Sequence, residues 1–454
     1  MLKLRNIDAT KGKLLPSIVL YALPLILSTL IQTLFHAVDL IVLRYAADGI
    51  AVASVGATGT ITSLIINAFI GLSGGTNVIL ARFIGAKDHD NTRKTVSTSL
   101  LTSLGIGLFS AVLGFFLAEP MLNLTKCPAD CFDGALLYLR IYFLASPFIL
   151  VYNFAASILR TSGDTNRPLL YMLLSGILNV VLNVVLCMCL DEKVAAVAIA
   201  TFASQVLGAI CAVARLCKND GDCKIVLRHL KWDLHIFGRI LRLGLPICLH
   251  GALFPLANLQ IQSAINSFGS AAIAGNTAAA NLETITSSTT SAFGTAALTF
   301  AGQNLGAGNK DRVKKSIAIC FTIAVCCGLF FGLLFYSFGE FFLSFFVGND
   351  PVAIGYGMIR CGFLLAFYFV AAMNQTLGSV LQAFGYTSFV SLNSIVAVFG
   401  MRILWMNTIY RWFPTYECIF LCFFVSWWLM WICNVTMTSI VFHKFKHDKL
   451  HKVI

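Results

Sequence analysis

Two carboxylates and one guanidinium stand well inside long apolar runs: Asp39, Glu283 and Arg402. A charge at the centre of a bilayer costs about 2.5–3.5 kcal/mol on insertion scales, so ionisable groups there mark ion or substrate pathways unless they pair with one another. Around Asp39 the chain repeats polar residues at helical spacing. Ser28, Gln32, His36 and Asp39 follow at intervals of 4, 4 and 3, which puts them on one helix face. Ser175, Asn179 and Asn183 form a second stripe at a spacing of 4. Pro24 and Pro168 open the two segments, and Asp39 and Asn183 each lie 15 residues further on. At helical rise that is about 22 Å, so both stripes are expected at one depth. A carboxylate, an imidazole and two amides at one depth can bind a cation and change protonation together. The competing reading of these groups is interhelical hydrogen bonding, worth about 1 kcal/mol each; the shared depth favours the cation site.

Glu283 has different company. Asn281 precedes it, and residues 284–291, TITSSTTS, carry seven hydroxyls in eight positions. Small hydroxyl residues allow close helix packing, and the same residues could line a polar cleft. Two roles stay open for Glu283: a structural ion pair, for which Arg402 is the deep cation, or a coupling carboxylate. Pro24, Pro246 and Pro255 each remove a backbone donor from an apolar segment and are expected to bend it.

The elements that must hold these residues follow from composition. Hydrophobic residues make up 58% of 454 positions and charged residues 11%, against about 25% charge in a soluble domain. A span needs about 20 apolar residues and must satisfy its backbone internally, so the long runs are read as helices. Twelve are expected, near 14–44, 52–80, 95–118, 136–160, 168–190, 194–217, 239–267, 276–302, 315–338, 356–384, 388–412 and 417–442. With both termini in the cytoplasm, 25 of the 32 Lys and Arg fall in cytoplasmic segments, as the positive-inside rule requires. The +12 net charge is then a topological signal at an anionic leaflet, not a nucleic-acid footprint. No cleavable signal peptide is apparent. Most of the 15 cysteines lie in spans and act as small apolar residues. Cys127 and Cys131 share an outer loop, where two free thiols are expected and a disulfide or metal pair is the alternative. His443, His447 and His451 alternate with lysines and read as a basic surface helix rather than a metal site.

The chain is also written twice. Ile84-Gly85-Ala86 recurs as Leu305-Gly306-Ala307 at an offset of 221, and Leu23-Pro24 recurs as Leu245-Pro246 at 222. The segment 159–165, LRTSGDT, lines up with 381–387, LQAFGYT, again at 222. Two parallel six-helix halves follow, 1–217 and 239–454, joined by a cytoplasmic linker at 218–238; parallel repeats are a recurring plan of secondary transporters. Gly85 and Gly306 are expected to supply left-handed turns at their helix ends.

Pro24 with Asp39, the ARFIGAKD loop, LRTSGDTNRPL at 159–169, Asn179 and GQNLGAGNKDR at 302–312 carry a family resemblance. Over about residues 10–445 the chain resembles the multidrug and toxic compound extrusion family. The resemblance implies an all-α membrane protein of two six-helix bundles in a V, with a cleft between them. It implies export of organic compounds against an inward flow of protons or sodium. Among its branches the chain is most similar to the bacterial DinF-like one, because the first-half acid lies in the first span and the seventh has none. Where relatives often carry a second aspartate in the fifth span this chain has Asn183. That loss weighs against a tight sodium site, since hard cations prefer charged oxygens, and leaves Asp39 with His36 as the titrating groups.

The expected activity is therefore efflux of amphipathic, often cationic, organic molecules, with H+ or Na+ as coupling ion and no other cofactor. The expected protein is a monomer in a bacterial plasma membrane, with lipid and small molecules as partners and no nucleic acid. A flippase for a lipid-linked or polymeric substrate is the alternative, disfavoured because only Arg402 stands deep. A membrane-embedded enzyme is the distant alternative; no HExxH, deep DxxD pair or phosphate-cradling loop supports one.

Overall fold

The computed structural model describes residues 7–46, 49–125, 127–219, 221–226, 228 and 230–447. Within its helices the side chains at 33, 36–41, 43–46 and 254–257 lie outside the described residues. The first half holds α1 (Leu14–Ala46), α2 (Gly49–Ala86), α3 (His89–Leu124), α4 (Ala129–Leu144), α5 (Ser146–Thr161), α6 (Asn166–Cys189) and α7 (Lys193–Cys217). The second half holds α8 (Leu234–Asn266), α9 (Ser270–Gly306), α10 (Lys310–Ser337), α11 (Gly339–Val347), α12 (Pro351–Arg360), α13 (Tyr368–Ala383), α14 (Thr387–Ser394), α15 (Met401–Asn407), α16 (Ile409–Trp412) and α17 (Tyr416–Lys446). Wide π-helical turns, Cys361–Leu365 and Ile395–Gly400, carry the chain from α12 towards α13 and from α14 into α15. No strand occurs among the described residues.

Among the described residues nine helices are long and apolar enough to cross a membrane, and two bent pairs bring the number to eleven when each pair is taken as one span. The pair α4–α5 bends by 47° just before Pro147, and Pro351–Leu365 with α13 bends by 43°. α9 completes the twelve expected. Its 37 residues are ample, but the hydroxyl run and Glu283 keep its hydropathy below that of the others.

The internal repeat persists in backbone detail. Asp88 caps α3 by accepting from the Asn91 backbone N–H at 3.1 Å, and Asn309 caps α10 by accepting from that of Arg312 at 3.1 Å. These caps are 221 residues apart. The left-handed residues just before them are Lys87 (φ 54°) and Gly308 (φ 70°). Gly85 and Gly306 were the expected left-handed positions; both instead lie within the last turn of α2 and α9, because the chain reverses only where the next helix is capped. Gly163 and Gly385, 222 apart, have φ of 89° and 86°.

The helices gather into two compact units. Unit 1 contains 27–248 and unit 2 contains 9–26 with 249–454. Each unit thus includes half of the helix that begins the other half of the chain, and the junctions Ile26/Leu27 and Cys248/Leu249 are themselves 222 apart. In unit 1 the first half of α8 lies so close to α2 that a Cβ on Gly71 would meet Ile247 O at 2.7 Å, and one on Gly75 would meet Gly244 N at 2.7 Å. Backbone-to-backbone packing of this kind is how apolar helices hold together in lipid, where no hydrophobic drive separates them from the solvent. In unit 2 the first half of α1 buries Tyr21, whose hydroxyl lies 3.0 Å from Thr299 Oγ1 and whose ring meets Phe300 edge-on at 5.6 Å.

The same unit explains the basic loop at 302–312. Arg312 donates to three backbone carbonyls near the N-terminus: Nη1 to Gly12 at 3.0 Å, and Nη2 to Lys11 at 3.0 Å and Ala9 at 3.2 Å. Asn304 Nδ2 donates to the Ala9 carbonyl at 3.1 Å. The motif is a clamp on the segment that leads into α1.

Candidate functional site

In unit 1 the amides of α6 form a directed chain. Asn183 and Asn179 are both buried, and Asn183 Nδ2 donates to Asn179 Oδ1 at 3.3 Å. Asn179 Nδ2 donates to Thr201 Oγ1 on α7 at 3.5 Å, and the Thr201 hydroxyl donates in turn to the Val197 carbonyl at 2.9 Å. Thr201 was not anticipated; a hydroxyl on the neighbouring span was its only sequence signal. α1 meets this helix at Phe35. The Phe35 ring occupies the space a Cβ on Gly176 would need, and Gly176 lies three residues before Asn179 on α6. Ser28 is buried and Gln32 exposed. The backbone of α1 continues through His36 and Asp39, whose side chains lie outside the described residues.

In unit 2 Glu283 has a partner that the sequence reading missed. Arg360 Nη2 donates to Glu283 Oε2 at 2.5 Å, and Arg360 Nη1 donates to Asn276 Oδ1 at 2.5 Å. The guanidinium also lies 5.9 Å from the Phe420 ring centre. Both side chains are mostly buried, 13% exposed for Arg360 and 21% for Glu283. Arg402 is 1% exposed, donates from Nη1 to Asn258 Oδ1 at 3.1 Å and stands 3.9 Å over the Phe423 ring. A desolvated cation over an aromatic face is favourable by about 2 kcal/mol or more. Phe420 and Phe423 are three apart on α17, so the two guanidinium groups rest on adjacent positions of one helix face. Asn281 is exposed and lies about 200° around α9 from Glu283, so it does not join this cluster.

Arg360 escaped the sequence reading because its depth was misjudged. The helix begins at Pro351, not near 356, and Asp350 caps it by accepting from the backbone N–H of Val352 at 3.0 Å and of Ala353 at 3.2 Å. Asp-Pro is a helix-start signal, and it moves Arg360 from the rim to the interior. Both arginines adjoin π-helical turns, which recur at functional sites. α1 and α8 each run as one helix through Pro24 and Pro246, and α8 continues through Pro255, whose side chain lies outside the described residues. Cys127 and Cys131 are free, with their sulfurs 3.8 Å apart.

The MatE family profile matches this chain twice, over residues 24–185 and 246–406, one match per half. The chain is 27% identical over 397 residues to a probable multidrug resistance protein of Bacillus subtilis, YpnP, covering 87% of this chain and 88% of that protein. It is 22% identical over 256 residues to the multidrug export protein MepA of Staphylococcus saprophyticus, 56% of each chain. Among solved structures, a transporter of the MOP superfamily from Pyrococcus furiosus, described as having a binding pocket of reverse polarity, superposes with a TM-score of 0.88 at 22% identity, covering 97% of this chain and 99% of that one. The outward-facing conformation of a multidrug resistance MATE transporter gives a TM-score of 0.88 at 22% identity, covering 98% and 99%.

Proposed function

Because the chain belongs to the MatE family of multidrug and toxic compound extrusion transporters, we propose that it exports amphipathic organic cations in exchange for protons entering through Asp39. It is a multi-pass membrane transporter and not an enzyme. The observation that supports the coupling role is the buried amide chain Asn183–Asn179–Thr201, anchored on the helix that Phe35 of α1 meets at Gly176. Its groups supply both donors and acceptors to a carboxyl group that changes protonation, and a bound cation would compete for the same carboxylate. Pro24 and Pro246 stand next to the junctions where α1 and α8 pass from one unit to the other, and a missing backbone donor makes a helix easier to bend there. Energetically the exchange is feasible. Each proton entering gains about 1.4 kcal/mol per pH unit and about 2.3 kcal/mol per 100 mV. We place the protein as a monomer in a bacterial plasma membrane, with both termini in the cytoplasm.

A second reading rests on Arg360. Flipping a lipid-linked or polymeric substrate was disfavoured because only Arg402 stood deep, and among the described residues Arg360 adds a second deep guanidinium in unit 2, which an anionic group on such a substrate would need.

The test is transport by vesicles under separately imposed pH and sodium gradients. A fluorescent organic cation should move with the pH gradient in the wild type and not in Asp39→Asn, which should still fold and insert. Wild-type export rates in Asp39→Asn would remove Asp39 from the coupling role. Movement of an organic anion with no movement of the cation would replace the first reading by the second.

A further inference from the structure

Unit 1 also carries a concave feature whose lining is apolar throughout, with Arg140 lying over one lining ring, Phe115. Helices α3, α5 and α7 enclose a groove of about 980 Å³, walled only by apolar residues and cysteine. That volume is at the top of the range of about 300–1,000 Å³ for small-molecule sites. Its spine is a stripe on α3 with a spacing of four: Leu104, Leu108, Val112 and Phe116, between 45% and 73% exposed. Val151 of α5 and Val213 of α7 face it. A side-chain ridge on a membrane helix normally presents a convex surface to lipid; here three helices leave a cleft instead.

One end of the groove has chemistry. The linker between the chain halves folds back onto α3 there. Leu230 enters the wall, the Asp233 backbone N–H donates to Thr98 Oγ1 at 3.1 Å, and the Trp232 ring lies 4.0 Å from where a Cβ on Gly105 would stand. Trp232 is 52% exposed and stacks edge-on with Phe237 at 5.2 Å. An indole at the end of an apolar cleft is what a membrane–water interface favours. Lys231 follows Leu230, Lys218 follows the groove residue Cys217, and both lysines are exposed, as is Arg228. Among the described residues of the linker, the acids Asp222 and Asp233 each have hydrogen-bond partners. Asp233 caps α8 through the His235 and Ile236 backbone N–H groups, each at 3.0 Å, and Asp222 lies 2.6 Å from His89 Nδ1. Arg215 is held near Asp164 at 3.9 Å. Among the described residues, the exposed side chains of Lys218, Lys231 and Arg228 therefore stand at this end of the apolar groove.

We propose that this groove is a binding site for an anionic glycerophospholipid, with its acyl chains along α3 and its phosphate between Lys218 and Lys231. The charge complementarity selects an anionic headgroup over a zwitterionic one, and the apolar wall excludes a polar or peptide occupant. From Leu100 to Phe116 the α3 wall runs about 24 Å at helical rise, long enough to hold an acyl chain along its length. The proposal does not depend on what the protein transports.

The full-length chain, purified in detergent and offered equal parts of phosphatidylglycerol and phosphatidylcholine, should retain phosphatidylglycerol selectively in native mass spectrometry. The two lysines should give a preference of about 5-fold each and about 30-fold together. Lys218→Gln with Lys231→Gln changes only exposed side chains. It should keep the thermal stability of the lipid-free protein and lose the preference. Val213→Trp fills the groove and should lower retention of both lipids. Equal retention of the two lipids by the wild type would mean bulk annular lipid and overturn the proposal. So would phosphatidylglycerol selectivity that survives both the paired lysine change and Val213→Trp, or detergent as the sole species retained.

Discussion

Replacing Arg360 should be one of the more destabilising changes in unit 2, and removing Glu283 along with it should restore part of the loss. Arg360 makes a fork, with Nη2 on Glu283 Oε2 and Nη1 on Asn276 Oδ1, both at 2.5 Å. Removing one member of a buried ion pair costs about 3–5 kcal/mol, because the other is left charged and unpaired. Glu283 is 21% exposed, so water relieves part of this, and about 3 kcal/mol is expected for Arg360→Met. Glu283→Gln keeps an oxygen acceptor for the fork and loses only the charge-assisted part of one bond, about 1–1.5 kcal/mol. If the two losses were independent, the double variant would lose about 4 kcal/mol; with the pair removed as a unit it should lose about 2 kcal/mol. The coupling is then about 2 kcal/mol, well above the 0.3–0.5 kcal/mol scatter of additive sites. Helix loss in mixed detergent and SDS, followed by far-ultraviolet circular dichroism, gives the three free energies. The same cycle with Arg402→Met in place of Arg360→Met should show weaker coupling, since Arg402 donates to Asn258 and rests on Phe423. Additive losses for Glu283 and Arg360, or stronger coupling to Arg402, would refute the pairing.

Two further outcomes test other parts of the fold. Arg312→Ala removes three hydrogen bonds to residues 9–12. Losing even one bond to a charged group, about 2 kcal/mol, should speed tryptic cleavage at Lys11 or Lys13 by about 30-fold. Arg312→Lys should not restore protection, because an ammonium lacks the planar fork. The Asn91 side chain and backbone N–H hold the Asp88 carboxyl below its usual range. A depressed folded-state value means that the cap stabilises fully above the unfolded value, about 3.9, and fades as pH falls through the folded one. Asp88→Ala should therefore cost about 1 kcal/mol at neutral pH, and its thermal stability should converge with that of the wild type as pH falls below the depressed folded value. A constant difference across that range would assign the effect to something other than the carboxylate.

Much of the architecture was legible in the sequence, because in lipid a helix must satisfy its own backbone and composition alone marks it. The repeat was legible too, and it reaches further than the matched letters. Asp88 and Asn309 differ as residues, as do Lys87 and Gly308, yet each pair performs one backbone task at equivalent places. The site was harder to read. Asn179 and Asn183 were found from spacing because both lie on one helix. Thr201 was missed because its contribution comes across a helix interface, which no periodicity reports. Arg360 was missed for a local reason: hydropathy places a span where residues turn apolar, whereas Asp350 and Pro351 start the helix several residues earlier. The expected partner Arg402 is as deep as supposed, but its guanidinium is directed to an amide and a ring.

The repeat also carries charge in a way that bears on coupling. Shifting the first-half stripe by 222 takes His36 to Asn258, Asp39 to Ile261 and Val180 to Arg402. In unit 2, Asn258 and Arg402 are in contact at 3.1 Å. The equivalent helices therefore come together in the second half with the sign reversed: a fixed guanidinium stands there, with no carboxylate at the position matching Asp39. A guanidinium is always charged and cannot exchange with the medium. Two equal ion sites are thus not written into the two halves, although the backbone is nearly so. If Asp39 takes up the coupling ion, the equivalent position of unit 2, Ile261, cannot do the same, and the carboxylate of the arginine cluster there is Glu283. Its carboxylate already has Arg360 as a partner, and protonation would have to break a charge-assisted bond at 2.5 Å. The asymmetry favours Asp39 as the group that turns over in each cycle and Glu283 as the group that stays paired.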